Sequence, residues 1–206
     1  MTITILDYGA GNVTSVIKAL SAVGASPRVA TAGSDLHAAD GIVVPGVGHF
    51  GETRSIDEAG RAAVMTAIER GVPVLGICLG LHWFFDGSDE APDAGGLGVF
   101  PGRCFALVSR PERATKVPHV GWNTLDMTGR PGRLLDGLTA GSTAYFTHSY
   151  AAPVIADTSA TTTHGSVFSS VVERGRVAGV QFHPEKSGTT GLRVLANFLS
   201  LAREAR

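Results

Sequence analysis

Apolar positions along this chain follow two different rhythms. In the first half, short apolar runs alternate with stretches spaced by three and four residues. Thr2–Leu6, Pro27–Ala30, Gly41–Pro45 and Val72–Ile77 read as strands, the last as a buried parallel one. Val13, Val16, Ile17 and Leu20 recur at helical spacing with Gly24 as a stop. Ile56, Ala59, Ala63, Ala67 and Ile68 mark a second amphipathic helix, closed by Gly71. Leu79–Phe85 reads as the first turns of another helix. Strand, helix, strand, helix predicts a parallel sheet with helices on both faces.

In the second half, candidate strands crowd together at Gly102–Val108, Asn123–Met127, Thr143–His148, Val154–Thr158, Val167–Glu173 and Arg176–Gln181. Gly and Pro turns separate them, so antiparallel hairpins are expected, one of them about Arg174-Gly175. Leu192, Leu195, Ala196 and Leu199 form an amphipathic helix able to cover one sheet face, and the polar stretch Asp86–Gly98 reads as a surface loop. No internal repeat or low-complexity linker interrupts the pattern. The expectation is one α/β domain over residues 1–206. It is a three-layer open sheet with parallel core strands, helices on both faces and antiparallel additions in the second half.

Composition narrows the function. The 206 residues and 44% hydrophobic content suit one full core. A net charge of −1 with no long basic run makes nucleic acid an unexpected partner. No apolar stretch approaches membrane-spanning length, and Met1–Asp7 reads as a first strand rather than a signal peptide. Two cysteines cannot build a disulfide framework, so a reducing cytoplasm is the expected location.

The chemistry centres on Cys78, in Leu75-Gly76-Ile77-Cys78-Leu79-Gly80. It stands between a strand and a helix, with a glycine two residues to each side. A sharp nucleophile elbow needs such small neighbours, and the start of a helix favours a thiolate. The competing reading is a buried packing cysteine. Cys104, inside a strand pattern without an elbow, fits packing better.

A cysteine nucleophile needs a base. His183 follows Val180-Gln181-Phe182 and precedes Pro184-Glu185, and in extended chain Glu185 projects to the same side and can orient its imidazole. A surface His-Pro-Glu turn is the alternative. Acyl transfer also needs oxyanion donors, and the backbone N–H of Leu79 and the Gly46-Val47-Gly48 loop are candidates. His119, His148 and His164 lack metal-ligand spacing, so no metal is expected. Gly9-Ala10-Gly11-Asn12 lacks the full dinucleotide fingerprint, so no cofactor is expected.

The elbow, Pro45-Gly46-Val47-Gly48 and Phe182-His183-Pro184-Glu185 together resemble the class I (triad-type) glutamine amidotransferases. Asp7-Tyr8-Gly9-Ala10-Gly11-Asn12, Lys116–Asn123 (Lys-Val-Pro-His-Val-Gly-Trp-Asn), Tyr145–Tyr150 (Tyr-Phe-Thr-His-Ser-Tyr) and Gly179–Ser187 are similar, more narrowly, to the amidotransferase subunits of imidazole glycerol phosphate synthases. The resemblance covers nearly the whole chain. It implies that Cys78 attacks the carboxamide of glutamine, that His183 moves the protons and that Glu185 holds His183. It implies glutamine contacts from Gly48, His82, His148, Ser149 and Tyr150. It also implies a heterodimer with a (βα)8-barrel cyclase subunit, toward which Asn12, Lys186 and Tyr150 would face.

In such a pair, ammonia passes to the cyclase and converts PRFAR, a ribulosyl phosphate, to imidazole glycerol phosphate and AICAR in histidine biosynthesis. The Pro45–Gly48 segment would reorient to complete the oxyanion hole. One departure stands out. The family usually has Gly-Met-Gln after the elbow, with the glutamine on substrate, and here the run is Gly80-Leu81-His82. His82 is expected to line the pocket in its place. A stand-alone cysteine amidase or peptidase, a class I amidotransferase of another pathway and a catalytically weakened regulatory subunit remain as other readings.

Overall fold

Alternation along the first strands gives each sheet face its own apolar cluster. The computed structural model describes residues 1–31, 36–109, 115–129 and 132–205. Strand β1 (Thr2–Leu6) sends Ile3 and Ile5 to one face and Leu6 to the other. Strand β3 (Gly41–Gly46) splits Val43 from Ile42 and Val44, and β4 (Val74–Cys78) splits Leu75 and Ile77 from Val74. Helices α1 (Val13–Ala22) and α4 (Gly188–Glu204) cover the first face with Val16, Leu20, Val194, Leu195, Phe198 and Leu199. Helices α2 (Glu58–Glu69) and α3 (Leu79–Trp83) cover the second with Val64, Ala67, Leu81 and Trp83. Each large apolar side chain so buried contributes about 1.5–3 kcal/mol. β3 and β4 are buried along their whole length, as strands covered on both faces must be.

The main sheet has eight strands. Five are parallel, in the order β2 (Ser26–Ala30), β1, β3, β4, β13 (Val177–Val180). Antiparallel β12 (Ser166–Arg174), β11 (Thr158–His164) and β8 (Asp126–Met127) extend it. The expected hairpin joins β12 and β13, with Arg174 opposite Val177. A three-stranded sheet of β10 (Tyr150–Ala151), β6 (Arg103–Ala106) and β5 (Gly87–Ser88) sits apart, as does a ribbon of β7 (His119–Thr124) with β9 (Thr143–His148). Among the described residues, no helix is long and apolar enough to cross a membrane.

Four segments depart from the sequence expectation. The single strand expected at Asn123–Met127 is broken at Leu125 and divided between β7 and β8, which lie in different sheets. α3 stops at Trp83, short of Phe85, because residues 97–100 capture its outgoing carbonyls. Leu97 N–H donates to the Trp83 oxygen, Gly98 to Phe85 and Phe100 to Phe84. Residues 86–98 are not a surface loop: Gly87, Ser88, Ala91 and Ala94 are buried, and β5 pairs with β6. The strand expected at Val154–Thr158 is a turn, in which Ile155 and Thr158 bond each other and Pro153 has no N–H to give a ladder. Strand pairing resumes only at Thr158.

Candidate active site

Cys78 is the last residue of β4 and caps α3, with φ 53° and ψ −105°. Among the described residues it is the only non-glycine with positive φ. Holding a side chain there costs about 1–3 kcal/mol and persists only where packing over-determines it. The packing is visible at the two flanking glycines. A Cβ at Gly76 would lie 2.7 Å from the Gly80 backbone, and one at Gly80 would lie 1.8 Å from the Val44 carbonyl oxygen. Both backbones must touch for the chain to turn this sharply.

Register decides what meets the sulfur. Gly46 on β3 lies opposite Cys78, and Val180 on β13 lies opposite Ile77. The loop after each neighbouring strand therefore opens beside Cys78, at the carboxyl end of the sheet. His183 and Glu185 arrive on the loop after β13. His183 Nδ1 is 2.8 Å from Glu185 Oε1, and the two side chains are 2% and 1% exposed. The contact is not made by extended chain, as the i, i+2 argument expected. Pro184–Lys186 is a 3₁₀ turn that folds Glu185 back under the ring. The turn is pinned to β9: His183 N–H donates to the Tyr145 oxygen, Ser187 Oγ donates to the His183 oxygen, and Tyr145 N–H donates to Ser187 Oγ.

Nε2 of His183 is buried. Burial alone would lower the pKa of this imidazole. Hydrogen bonding and charge interaction with Cys78, and then with Glu185, outweigh it and raise the value to about 10. The imidazole is therefore held between the sulfur and the buried Glu185 side chain.

A cavity of about 260 Å³ opens in front of the sulfur. Val47, Gly48, Cys78, Leu79, His82 and His148 line it, with Ser149 and Tyr150. Glu90, Pro118 and Thr147 complete the wall; Pro118 and Thr147 lie inside motifs quoted for the resemblance, but no sequence argument gave any of the three a role. Glu90 lies in the stretch misread as surface loop, and its Oε2 accepts the Phe50 N–H at 2.7 Å.

The oxyanion candidates differ in their freedom. Val47 N–H is donated to the Ala10 carbonyl at 2.6 Å. Leu79, first residue of α3, has a backbone N–H that needs no helical partner. Gly46 is wedged in place: a Cβ there would lie 2.1 Å from Tyr8 Oη and 2.7 Å from Leu79 Cβ.

His148 belongs to a buried chain of imidazoles. Its Nδ1 lies 2.8 Å from the Tyr150 carbonyl oxygen, which only accepts, so Nδ1 carries the proton. Its Nε2 then accepts from His119 Nδ1 at 2.9 Å, and Asn123 Nδ2 donates to His119 Nε2 at 3.2 Å. Both ring nitrogens of His148 are thus engaged within the protein while its side chain lines the cavity. His119 stacks on His164 and on Phe146. The fold thus gathers three histidines that are separated in sequence, His164 stacked on His119 and His148 edge-on to it. Among the described residues, no group of three or more His, Cys, Asp or Glu is arranged to hold a metal ion. Burial, aided by His164, lowers His119 to about 4, and burial holds His148 well below the usual imidazole range.

His82 is buried and lowered to about 4 by burial. Its Nε2 is 2.8 Å from Gln181 Oε1. Gln181, also missed, was legible only as a polar residue inside the apolar run that leads to His183. Cys104 is fully buried on β6, and burial pushes its thiol well up. Asn12 caps α1 through the Ser15 N–H at 3.3 Å, and Lys186 is exposed with its Nζ 6.0 Å from the Tyr145 ring.

A family profile described as glutamine amidotransferase class-I matches residues 4–201. The chain is 45% identical over 200 residues to "Imidazole glycerol phosphate synthase subunit HisH" of Deinococcus radiodurans, covering 95% of this chain and 92% of that protein. It is 42% identical over 207 residues to the Moorella thermoacetica protein of the same name, covering 98% and 96%. Among solved structures it is similar to PurLQS from Thermotoga maritima, with TM-score 0.75, 19% identity and 97% of each chain covered. It is also similar to the glutaminase domain of Trypanosoma brucei CTPS with bound acivicin, with TM-score 0.69, 16% identity, and 98% and 93% covered. At these low identities the two structures speak to fold alone.

Proposed function

Because the chain belongs to the class-I glutamine amidotransferases, we propose that it is the glutaminase subunit of an imidazole glycerol phosphate synthase, acting in histidine biosynthesis. The observation that carries the catalytic part is the buried 2.8 Å pair of His183 and Glu185, held on the loop after β13, the strand paired with the one that ends in the strained turn of Cys78.

In this reading Cys78 Sγ attacks the side-chain carbonyl carbon of glutamine, and its proton passes to His183. The tetrahedral intermediate is stabilised by the Leu79 N–H and by the Gly46–Gly48 backbone. It collapses to a thioester as the C–N bond breaks and His183 gives its proton to the departing ammonia. His183 then takes a proton from water, which attacks the thioester and releases glutamate and the thiol. Glu185 keeps the imidazole oriented and stabilises its charged form. Glu90, a carboxylate on the cavity wall, suits the α-ammonium of glutamine, with Gly48, His82, Ser149 and Tyr150 around the rest.

As a subunit of a multi-subunit synthase, the chain uses glutamine and works with a partner. The proposed partner is a cyclase subunit of (βα)8-barrel fold in a heterodimer, with Asn12, Lys186 and Tyr150 toward it and a cytoplasmic location. Ammonia would pass to it without leaving the complex, where most would become non-nucleophilic ammonium, and convert PRFAR to imidazole glycerol phosphate and AICAR. The test is glutamate release by the chain alone, with the cyclase, and with the cyclase plus its ribulosyl ligand. Equal rates in all three would overturn the coupled reading. His82 in place of the usual glutamine favours a second reading, a catalytically weakened regulatory subunit. A glutamine-analogue electrophile that never labels Cys78, with or without partner, would support that reading instead.

A further inference from the structure

Gln181 is a fully buried amide that the reaction steps above leave without a task. It stands between Val180 and Phe182, where an apolar residue would be cheaper, since a buried carboxamide costs stability unless its groups are all bonded. Its oxygen lies 3.3 Å from the Ala152 backbone nitrogen and 2.8 Å from His82 Nε2. Its nitrogen lies 3.9 Å from Cys78 Sγ.

These contacts define the amide's orientation. A backbone N–H only donates, so the atom facing Ala152 is the oxygen and the NH₂ group faces the sulfur. The same oxygen only accepts, so His82 carries its proton on Nε2 and leaves Nδ1 as an acceptor. Burial keeps His82 neutral, which preserves that arrangement across the neutral pH range. The backbone of Gln181 is tied as well, its N–H donating to the Ser170 oxygen.

We propose that Gln181 is a positioning residue for the nucleophile: its carboxamide, locked by His82 and the Ala152 N–H, holds an N–H against the Cys78 sulfur and favours the anionic form. The role deepens the reading of Cys78 as the nucleophile and rests on it. An N–H dipole aimed at sulfur stabilises thiolate more than thiol, and a buried dipole that cannot rotate needs no reorganisation when charge appears. The strained elbow fixes the sulfur from the backbone side, and Gln181 fixes it from the side of β13. His82 supplies the lock.

The test is the pH profile of Cys78 alkylation by iodoacetamide in the full chain. It is read on the Cys78 peptide by mass spectrometry, so that Cys104 does not contribute. Gln181→Met, neutral and of similar shape, removes the donor without adding charge. Its half-maximal pH is expected to rise by roughly half a unit to one unit, the size of one modest hydrogen bond to a charged group. A folded Gln181→Met whose profile superimposes on that of the parent overturns the proposal. Should that variant not fold, Gln181→Glu keeps both acceptor contacts but has no N–H, and an unshifted profile there overturns it equally. The readout uses no glutamine. A shift in a chain that never hydrolyses glutamine would leave the Gln181 role standing and sink the amidotransferase reading. Hydrolysis without a shift would do the reverse.

Discussion

Val47 donates its backbone N–H to the carbonyl of Ala10, 2.6 Å away, and that N–H is therefore not free for charge developing in the cavity Val47 lines. With Val47 so engaged, the loop offers one donor fewer beside the Leu79 N–H. Removing one oxyanion donor typically costs about a hundredfold or more in rate. The isolated chain is accordingly expected to release glutamate slowly, with a rise of about that size when cyclase and its ribulosyl ligand are both present. A coupled glutamate assay under the three conditions measures it, and a fast isolated chain would contradict it.

Replacing the sulfur separates the two halves of the reaction. Cys78→Ala should abolish glutamine-dependent synthesis by the complex while leaving synthesis from added ammonium salts intact. Loss of both activities in a complex that still assembles would argue against ammonia transfer to a separate site.

His82 lines the cavity, and its Nδ1 has no hydrogen-bond partner among the described residues. Loss of one neutral hydrogen bond is worth about 0.5–1.5 kcal/mol, so His82→Ala should raise the KM for glutamine by roughly two- to tenfold. His82→Gln should also move KM, because an amide presents donors where the imidazole presents a lone pair. Steady-state kinetics with the partner decide it, and unchanged KM in both variants would remove His82 from substrate binding.

Gly80 has no room for a methyl group. A Cβ 1.8 Å from the Val44 carbonyl oxygen meets backbone, which cannot step aside as a flexible side chain would. Gly80→Ala should destabilise the chain by about 3 kcal/mol or more. Urea unfolding of the two proteins gives the difference, and a loss well under 1 kcal/mol would mean that the elbow is softer than its geometry implies.

Stability should peak near pH 6.5, the ordinary imidazole value. His82 and His119 have folded values of about 4. Between pH 6.5 and 4 the unfolded chain binds protons that the folded chain refuses, so stability falls as pH drops; His82 alone accounts for roughly 3 kcal/mol of this. His183 acts in the opposite sense, with a folded value of about 10. Between pH 6.5 and 10 the folded chain keeps a proton that the unfolded chain has lost, so stability falls as pH rises. Denaturant midpoints from pH 4 to 10 would show the maximum, and a midpoint still climbing at pH 9 would count against His183 being held by Cys78 and Glu185 together.

The parts of the fold that rest on local pattern were legible. Ile3, Ile5, Val43, Leu75 and Ile77 obey a period of two, and Val16 and Leu20 a period of four, because strand and helix geometry alone sets those spacings. What failed had no local cause. Ala91 and Ala94 read as loop residues because nothing in a polar stretch says that it will pack beside the active site and bring Glu90 to it. α3 is shorter than its apolar pattern because residues 97–100, remote from the elbow in pattern, take its carbonyls.

The site divides in the same way. Cys78 between its glycines, and the His-Pro-Glu run, are local motifs, since a sharp turn and an oriented base each need particular residues at short spacing. The sequence by itself therefore determined the candidate nucleophile, its candidate base and the kind of sheet that carries them. Tertiary structure alone decided that Gly46 lies opposite Cys78, that His183 meets Glu185 through a 3₁₀ turn, and that Val47 is tied to Ala10. It alone joined His82 to Gln181 across 99 positions of chain and His119 to His148 across 29. Strand register and close packing set those distances, and neither is encoded within the reach of a local motif.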